Sequence, residues 1–341
     1  MGLAGAAMGF AALTVSGAVA QEAEDGPAPV TPWGEPALGG TWTNVTLTPF
    51  VRRGEYGERL VHTPEEVAQI EGDVQIEIFE ANQITDPDAD AEFEHETTVT
   101  RPEFEAAGGA VGGYNRFWLD PGNHLMRVDG EPRTSILTTA NGRPPSPKAD
   151  RPTYERLDRS RGPTDSYEVR SLGDRCIIGF GRNGGPPMLP NGFYNNNYEF
   201  VQTPDQLMIS IEMNHDVRAI RIGGEHRDDD VRPWFGDSIG WWEGETLVVQ
   251  TKNIPQVQEF MGSWENLKVT ERFTRKSENR MHYEFIVEDP DFWDQPWGGE
   301  YEFAPLEGKI YEYACHEGNY ALPGILRGGR IEDAEQAANA K

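Results

Sequence analysis

A chain of 341 residues accommodates one large β domain with decoration, or two small domains, and its 37% hydrophobic and 10% aromatic content suffices for a substantial core. The formal net charge of −27 excludes nucleic acid as a partner and disfavours an anionic membrane surface, because like charges repel. The basic residues are mostly Arg, whose planar fork suits bidentate pairing with carboxylates.

Residues Gly2 to Ala20 are small and apolar, carry no charge, and end in Ala18-Val19-Ala20 before Gln21-Glu22. That pattern fits the hydrophobic region and cleavage site of a secretory signal, although the positive start of such a signal is missing. A membrane anchor is the alternative, which the short glycine-rich run opposes. Residues 1–20 are therefore read as a signal peptide. The expected compartment is periplasmic or secreted, with no stable membrane insertion after cleavage. The two cysteines, Cys176 and Cys315, form an even pair, which in an exported chain reads as one disulfide. Two buried free thiols are the alternative in a cytosolic chain.

Residues 21–38 read as a loose N-terminus, and Gly40-Thr41-Trp42 opens the ordered chain. This triplet is similar to the first strand of lipocalin barrels, where the Trp plugs one end. Val45 to Val51 reads as a further strand. Thr63-Pro64-Glu65-Glu66 is a helix start with a capping Thr, a Pro in the first turn and a Glu that closes a capping box. The helix should run through Val67 and Ile70 to Ala81. Residues 84–105 are acidic and resemble a calcium loop, but glycine is missing after the third acid and Thr97 stands where a Glu is needed. They read as a solvated linker, and no metal site is expected. Residues 39–110 thus form an N-terminal strand, a helix and an acidic segment.

The main β domain is placed at 111–330. Its expected strands are Tyr114 to Leu119, Thr134 to Thr138, Tyr198 to Thr203, Leu207 to Met213, Val217 to Ile222, Leu267 to Thr274, Met281 to Glu288, Tyr301 to Phe303 and Ile310 to Cys315. In their midst lies Gly236 to Thr251, with paired Trp241 and Trp242, a Glu-Gly-Glu turn and a β-rich run. Residues 141–165 read as a surface connection and Tyr167 to Cys176 as a short helix. The Gly/Pro/Asn-rich stretch 179–192 reads as a folded loop, because Phe180, Met188, Leu189 and Phe193 are interspersed. Residues 331–341 read as a frayed tail. Short strands separated by turn signals predict an all-β, mainly antiparallel barrel or sandwich with a short N-terminal helical segment and long loops.

Six blocks together resemble a large family of exported bacterial proteins: Gly113-Tyr114-Asn115-Arg116-Phe117-Trp118, Tyr194-Asn195-Asn196-Asn197-Tyr198, Glu212-Met213-Asn214-His215-Asp216-Val217-Arg218, the element Gly236 to Thr251, Glu271-Arg272-Phe273, and Ile310 to Tyr320. The resemblance spans about residues 110–330. It implies export and a lipocalin-like fold, and it carries no catalytic assignment.

Leu207, Ile209, Ile211 and Met213 alternate and mark one buried strand face, with Glu212 on the other. A two-residue turn at Asn214-His215 would bring Glu212, His215 and Arg218 to one barrel end, where they could transfer protons. The alternative is an exposed hairpin with a surface Glu–Arg pair. Glu271 falls in the apolar phase of its strand and should point inward. It is either a buried ion pair with an Arg such as Arg221 or Arg116, or a general acid or base in a cavity. His316, Glu317 and Asn319 either meet a polar substrate or metal, or form a turn held by side chain–backbone bonds. His226 beside Asp228-Asp229-Asp230 lacks a zinc spacing. No nucleophile elbow, phosphate loop or dinucleotide fingerprint is present, so no cofactor is expected.

These features predict an exported barrel that takes a small, mostly apolar organic molecule into its cavity. Cofactor-free lyase, hydratase or isomerase chemistry would use Glu271, Glu212 and His215 as proton-handling groups and Arg218 as anion or carbonyl stabiliser. Trp241, Trp242, Tyr194, Asn196, His316 and Asn319 would contact the ligand. A non-catalytic small-molecule or carbohydrate carrier and an envelope structural protein are the alternatives. Ionisable groups converging in a closed apolar pocket would favour the enzyme, an apolar pocket the carrier, and a filled interior the structural protein.

Overall fold

The computed structural model describes residues 25–81, 120–153, 162–179, 181–192 and 194–339. The signal segment 1–20, the acidic segment 84–105, the strand Tyr114 to Leu119 with Arg116, and Phe180 and Phe193 lie outside those residues. The nine-stranded closed barrel consists of β1 (Gly40–Thr43), β4 (Asn197–Gln202), β5 (Gln206–Ile211), β6 (Val217–Ile222), β7 (Asp237–Glu243), β8 (Thr246–Lys252), β9 (Lys268–Arg275), β10 (Met281–Glu288) and β11 (Trp297–Pro305). Strands β2 (Arg127–Val128) and β3 (Glu131–Pro132) form a separate ribbon, and helices α1 (Pro64–Ala81) and α2 (Ala321–Asn339) stand outside the barrel.

Sequential strands from β4 onward pair as neighbours, and β1 closes the ring between β4 and β11. An odd number of strands cannot alternate direction all the way round a closed ring, so one seam has to be parallel. That seam is β6–β7, which pairs at only two positions, Arg221↔Ile239 and Ile222↔Gly240. The predicted alternation is visible on β9 and β10, where every second side chain is buried.

The barrel interior is filled with aromatic rings. Tyr283 lies 4.8–6.1 Å from the rings of Phe273, Phe285, Tyr301 and Phe303, each within the range of favourable aromatic pairing. One end is sealed by Trp42, whose ring carries the Arg275 guanidinium 4.3 Å above its centroid. Arg275 also donates to the Ala37, Ser277 and Glu278 carbonyls, which locks the sealing side chain. At the far end of β9, seven residues or about 24 Å away at ~3.4 Å per residue, the loop 181–192 covers the barrel. Its Met188 is fully buried in the core.

The helix start is as expected. Thr63 Oγ1 accepts from Glu66 N at 3.3 Å, and Glu66 Oε2 accepts from Thr63 N at 2.9 Å. Several other expectations require correction. Val45 to Val51 is an extended loop, not a strand; its bonds go to the 124–142 region, as in Leu47 N to His124 O and Arg52 N to Gly142 O. Thr134 to Thr138 makes a single antiparallel bridge to β11, Leu137↔Gly299, with Thr138 N donating to Gly298 O and Glu300 N to Ile136 O, too short a pairing to count as a strand. Gly299 permits the close approach, since a Cβ there would stand 2.6 Å from Ile136 O. Ile310 to Cys315 is irregular; Tyr311 N donates to the Glu212 carboxylate at 3.0 Å, and the disulfide ties Cys315 to Cys176 in the loop 162–179. The stretch 331–339 is the second half of α2, not a frayed tail. Asn319 Oδ1 accepts from Leu322 N at 3.3 Å at the start of that helix, and the Ala/Glu/Gln-rich end has high helix propensity. Tyr167 to Cys176 contains only a short 3-10 turn, Tyr167–Val169, under a Ser166 cap.

Candidate functional site

Glu271 points into the barrel, as its strand phase requires, and is 0% exposed. Its partner is Arg218 rather than Arg221; Arg218 is 1% exposed and faces Ile209 across the sheet, and Arg116 lies outside the described residues. Arg218 Nη1 and Nη2 donate to the two Glu271 oxygens at 3.0 and 2.6 Å, a bidentate pair, and Tyr283 OH donates to Oε1 at 2.8 Å. Thr251 accepts a longer contact from Arg218 at 3.4 Å and bonds Ser238 at 2.8 Å. Burial alone would depress the Arg218 guanidinium; the adjacent carboxylate more than offsets this and holds it above its ordinary value. Tyr283 is pushed well up, first by burial and then by the Glu271 charge. Tyr283 OH accepts from Met188 N at 2.8 Å, and Tyr301 OH donates to Met188 O at 3.1 Å. The network anchors the covering loop. Glu271, Arg218 and Tyr283 are all partnered within it, although Arg218 Nε is buried without an acceptor among the described residues.

Glu212 and His215 do not join that network. Strand β5 ends at Ile211, and Ser210 rather than Glu212 sits opposite Val217. A tight turn at Met213–His215 follows, in which Asn214 and His215 adopt positive φ of 57° and 46°, a conformation that Asn tolerates well. Glu212 accepts from Asn197 Nδ2 at 2.7 Å and from Tyr311 N at 3.0 Å, so it straps the 310–315 segment to the barrel. His215 is exposed.

The other expected ligand contacts are dispersed. Trp241 lies on the outer face and donates to Glu243 at 3.0 Å, whereas Trp242 packs against the core. Tyr194 stacks on Tyr313 with ring centroids 6.4 Å apart. Asn196 uses its whole amide to order the loop: Oδ1 accepts from Asn183 Nδ2 and Asn191 N, and Nδ2 donates to Asn191 O. His316 is exposed in a turn, and Asn319 donates to Asp174 O at 2.8 Å beside its capping role. Cys176 and Cys315 are bonded, with Cα atoms 5.7 Å apart, inside the usual disulfide range. Such a bond persists in oxidising, extracytoplasmic compartments rather than in the cytosol. No helix among the described residues is long and apolar enough to cross a membrane. Among the same residues, no group of three or more His, Cys, Asp or Glu is placed to hold a metal ion.

A different set of residues gathers at the loop-covered end. Asp216, Met213, Phe235, Asn183, Gln258 and Arg182 line a cleft of ≈10 Å³. That is about the space one water molecule requires. Burial pushes the Asp216 carboxyl up to about 7, and no described side chain donates to it. Asn183 Oδ1 and Gln258 Nε2 are buried without a hydrogen-bond partner among the described residues; the two side chains are 2% and 4% exposed. Both atoms are closed to a water-sized group, so neither reaches the free space of the cleft. Arg182 forms no ion pair with Asp216. Its guanidinium, pushed down to about 9 by burial, donates to the Pro186, Gln258 and Glu259 carbonyls and stacks 4.6 Å over Phe260.

Sequence reasoning picked out Met213-Asn214-His215-Asp216 as a block but weighted His215 over Asp216. Only burial singles out Asp216, and no local pattern encodes it. The 179–192 composition did flag a folded loop, without indicating that Asn183 would meet Gln258 across the barrel end. Comparisons with protein-family models, with curated proteins and with solved structures return no match.

Proposed function

We propose that the protein is an exported, periplasmic or secreted barrel that binds a small, mostly apolar organic molecule at the end opposite Trp42, not in the barrel interior. The observation that carries this reading is the cleft, where the Asp216 carboxyl, with no side-chain donor among the described residues, lies beside Phe235 and Met213. The Trp42–Arg275 seal supports a lipocalin-like reading, because it leaves the opposite end as the ligand's approach. The disulfide supports export.

Asp216 is the proton-handling group of this reading, in place of Glu271, Glu212 and His215. A carboxyl titrating near neutrality can accept a proton in one step and return it in the next, as cofactor-free hydration, elimination or isomerisation requires. Arg218 and Glu271 hold the barrel together and leave the chemistry to the cleft. The filled interior favours one further reading, an envelope structural barrel that takes no ligand.

Untargeted metabolite pull-down with the mature protein separates these readings. The wild type should retain a small organic molecule that Asp216→Trp, which fills the cleft, releases. If Asp216→Asn still binds that molecule but no longer consumes it, the protein is an enzyme; if neither form consumes it, the protein is a carrier. Equal retention by wild type and Asp216→Trp would remove the cleft from the argument.

A further inference from the structure

We propose that Cys315 is a thiol-exchange site: a thiol attacks its Sγ, Cys176 leaves as a thiolate, and residues 315–339 come free of the barrel. The inference is independent of the ligand-binding reading above. Neither cysteine lies on a barrel strand; Cys176 belongs to the loop 162–179 and Cys315 to the irregular segment before α2. Both are half-buried, whereas the aromatic residues of the barrel interior are sealed from solvent. Cys176 also holds a left-handed φ of 54°, a conformation that a Cβ disfavours. Exposed or strained disulfides are the ones that exchange readily.

The two sulfurs are not equivalent. Asn319 Nδ2 donates to Cys176 Sγ at 3.4 Å, and no donor to Cys315 Sγ is found among the described residues. The orientation of that amide is fixed by its other bonds, from Nδ2 to the Asp174 carbonyl at 2.8 Å and from Leu322 N to Oδ1 at 3.3 Å. A donor at one sulfur stabilises the thiolate that leaves from it, so attack is directed to the other sulfur. Glu312 and Glu317 flank Cys315 and repel an incoming thiolate, but both are exposed, so salt screens the repulsion. In the first step the attacking thiolate bonds to Cys315 Sγ, the Cys176–Cys315 bond breaks, and the Cys176 thiolate takes up a proton. A second thiolate then attacks the added sulfur, which releases Cys315 as a thiolate and the two reagent thiols as their disulfide. The protein gains two electrons and the thiol reductant loses two.

The crosslink holds the C-terminal helix. Gly329, packed against Thr164, is the one fully buried residue of α2, and residues 330–339 are exposed throughout. A helix with so little packing has scant tertiary support. Its start is fixed to residues 174–176 by the disulfide and by Asn319. The barrel closes through strands that contain neither cysteine. Reduction therefore loosens α2 before it loosens the barrel.

The test is partial reduction of the folded protein with 2-mercaptoethanol at pH 8 in about 0.15 M salt. Free thiols are trapped with N-ethylmaleimide, and both cysteines are mapped by peptide mass spectrometry. The mercaptoethanol adduct should lie on Cys315 and the maleimide on Cys176, with a preference of roughly tenfold, equivalent to about 1.4 kcal/mol. Asn319→Asp keeps the capping oxygen but places a carboxylate at Cys176 Sγ, so it should abolish or reverse that preference. After full reduction, amide hydrogens of α2 should exchange faster while those of β8, β9 and β10 stay protected. Equal adducts on the two cysteines, or a preference for Cys176, overturns the proposal. So does a bond that resists the thiol until the barrel unfolds, or exchange in α2 that reduction leaves unchanged. A folded Asn319→Asp variant with the wild-type preference also counts against it. If that variant does not fold, the wild-type adduct map decides.

Discussion

Replacing Glu271 by Gln isolates the energetics of the barrel centre. In the wild type its carboxylate takes two bonds from Arg218 and one from Tyr283, with both charged partners at or below 1% exposure. The substituted amide would keep the shape but remove the charge, and its NH2 would face a guanidinium that can only donate. Removing one partner of a buried pair leaves an uncompensated charge and typically costs about 3–5 kcal/mol. For a domain of this size, at about 2–4 °C per kcal/mol, the melting temperature should fall by roughly 6–20 °C. The double variant Arg218→Met/Glu271→Leu removes both charges and should recover most of the loss, since buried pairs are often replaceable by apolar side chains. Chemical denaturation of the two single variants and the double gives the coupling energy directly. An unchanged midpoint for Glu271→Gln, or a double variant as unstable as the sum of the singles, would refute the buried-pair reasoning.

Removing the disulfide by Cys176→Ala and Cys315→Ala opens a 139-residue loop and should cost about 4–5 kcal/mol in the chain-entropy model; non-reducing peptide mapping of the wild type should recover the crosslinked pair, and two freely alkylated thiols would contradict it. Asp216 is raised from 3.8 to about 7 on folding, so between those values the native state holds a proton that the unfolded state has lost. Its contribution to stability is therefore present at low pH and declines as pH rises towards 7. Asp216→Asn should stabilise the protein at pH 8 relative to pH 5 by roughly 1–3 kcal/mol, allowing for partial exposure, and parallel pH–stability curves for the two proteins would negate this. Expressed with its native start, the mature protein should begin at or near Gln21 by mass spectrometry; an intact Met1 to Ala20 in the envelope fraction would contradict export.

Period-two alternation made the strands from Tyr198 onward legible in the sequence, and the inward phase of Glu271 followed from it, because each side chain's face on a strand is dictated by parity alone. The cysteine pair and the Thr63-x-x-Glu66 cap were legible for the same kind of reason: each is a local or composition-level rule. The partner of Glu271 was not, since Arg218, Arg221 and Arg116 are equivalent until the β5–β6 register is known. Nor was the placement of Glu212 and His215, because β5–β6 pairing stops at Ser210↔Val217 and Ile211 N bonds Asp216 O, leaving residues 212–215 as a loop wider than the expected two-residue turn. The parallel β6–β7 seam arises from closing an odd-numbered ring, which no single strand encodes. Asp216, Asn183 and Gln258 belong to three separate loops that meet only at the covered barrel end. Burial, and for Asp216 the lack of a side-chain donor among the described residues, sets them apart from the exposed polar residues. Both are properties of the packed chain, so tertiary structure alone decided where this protein's candidate site lies.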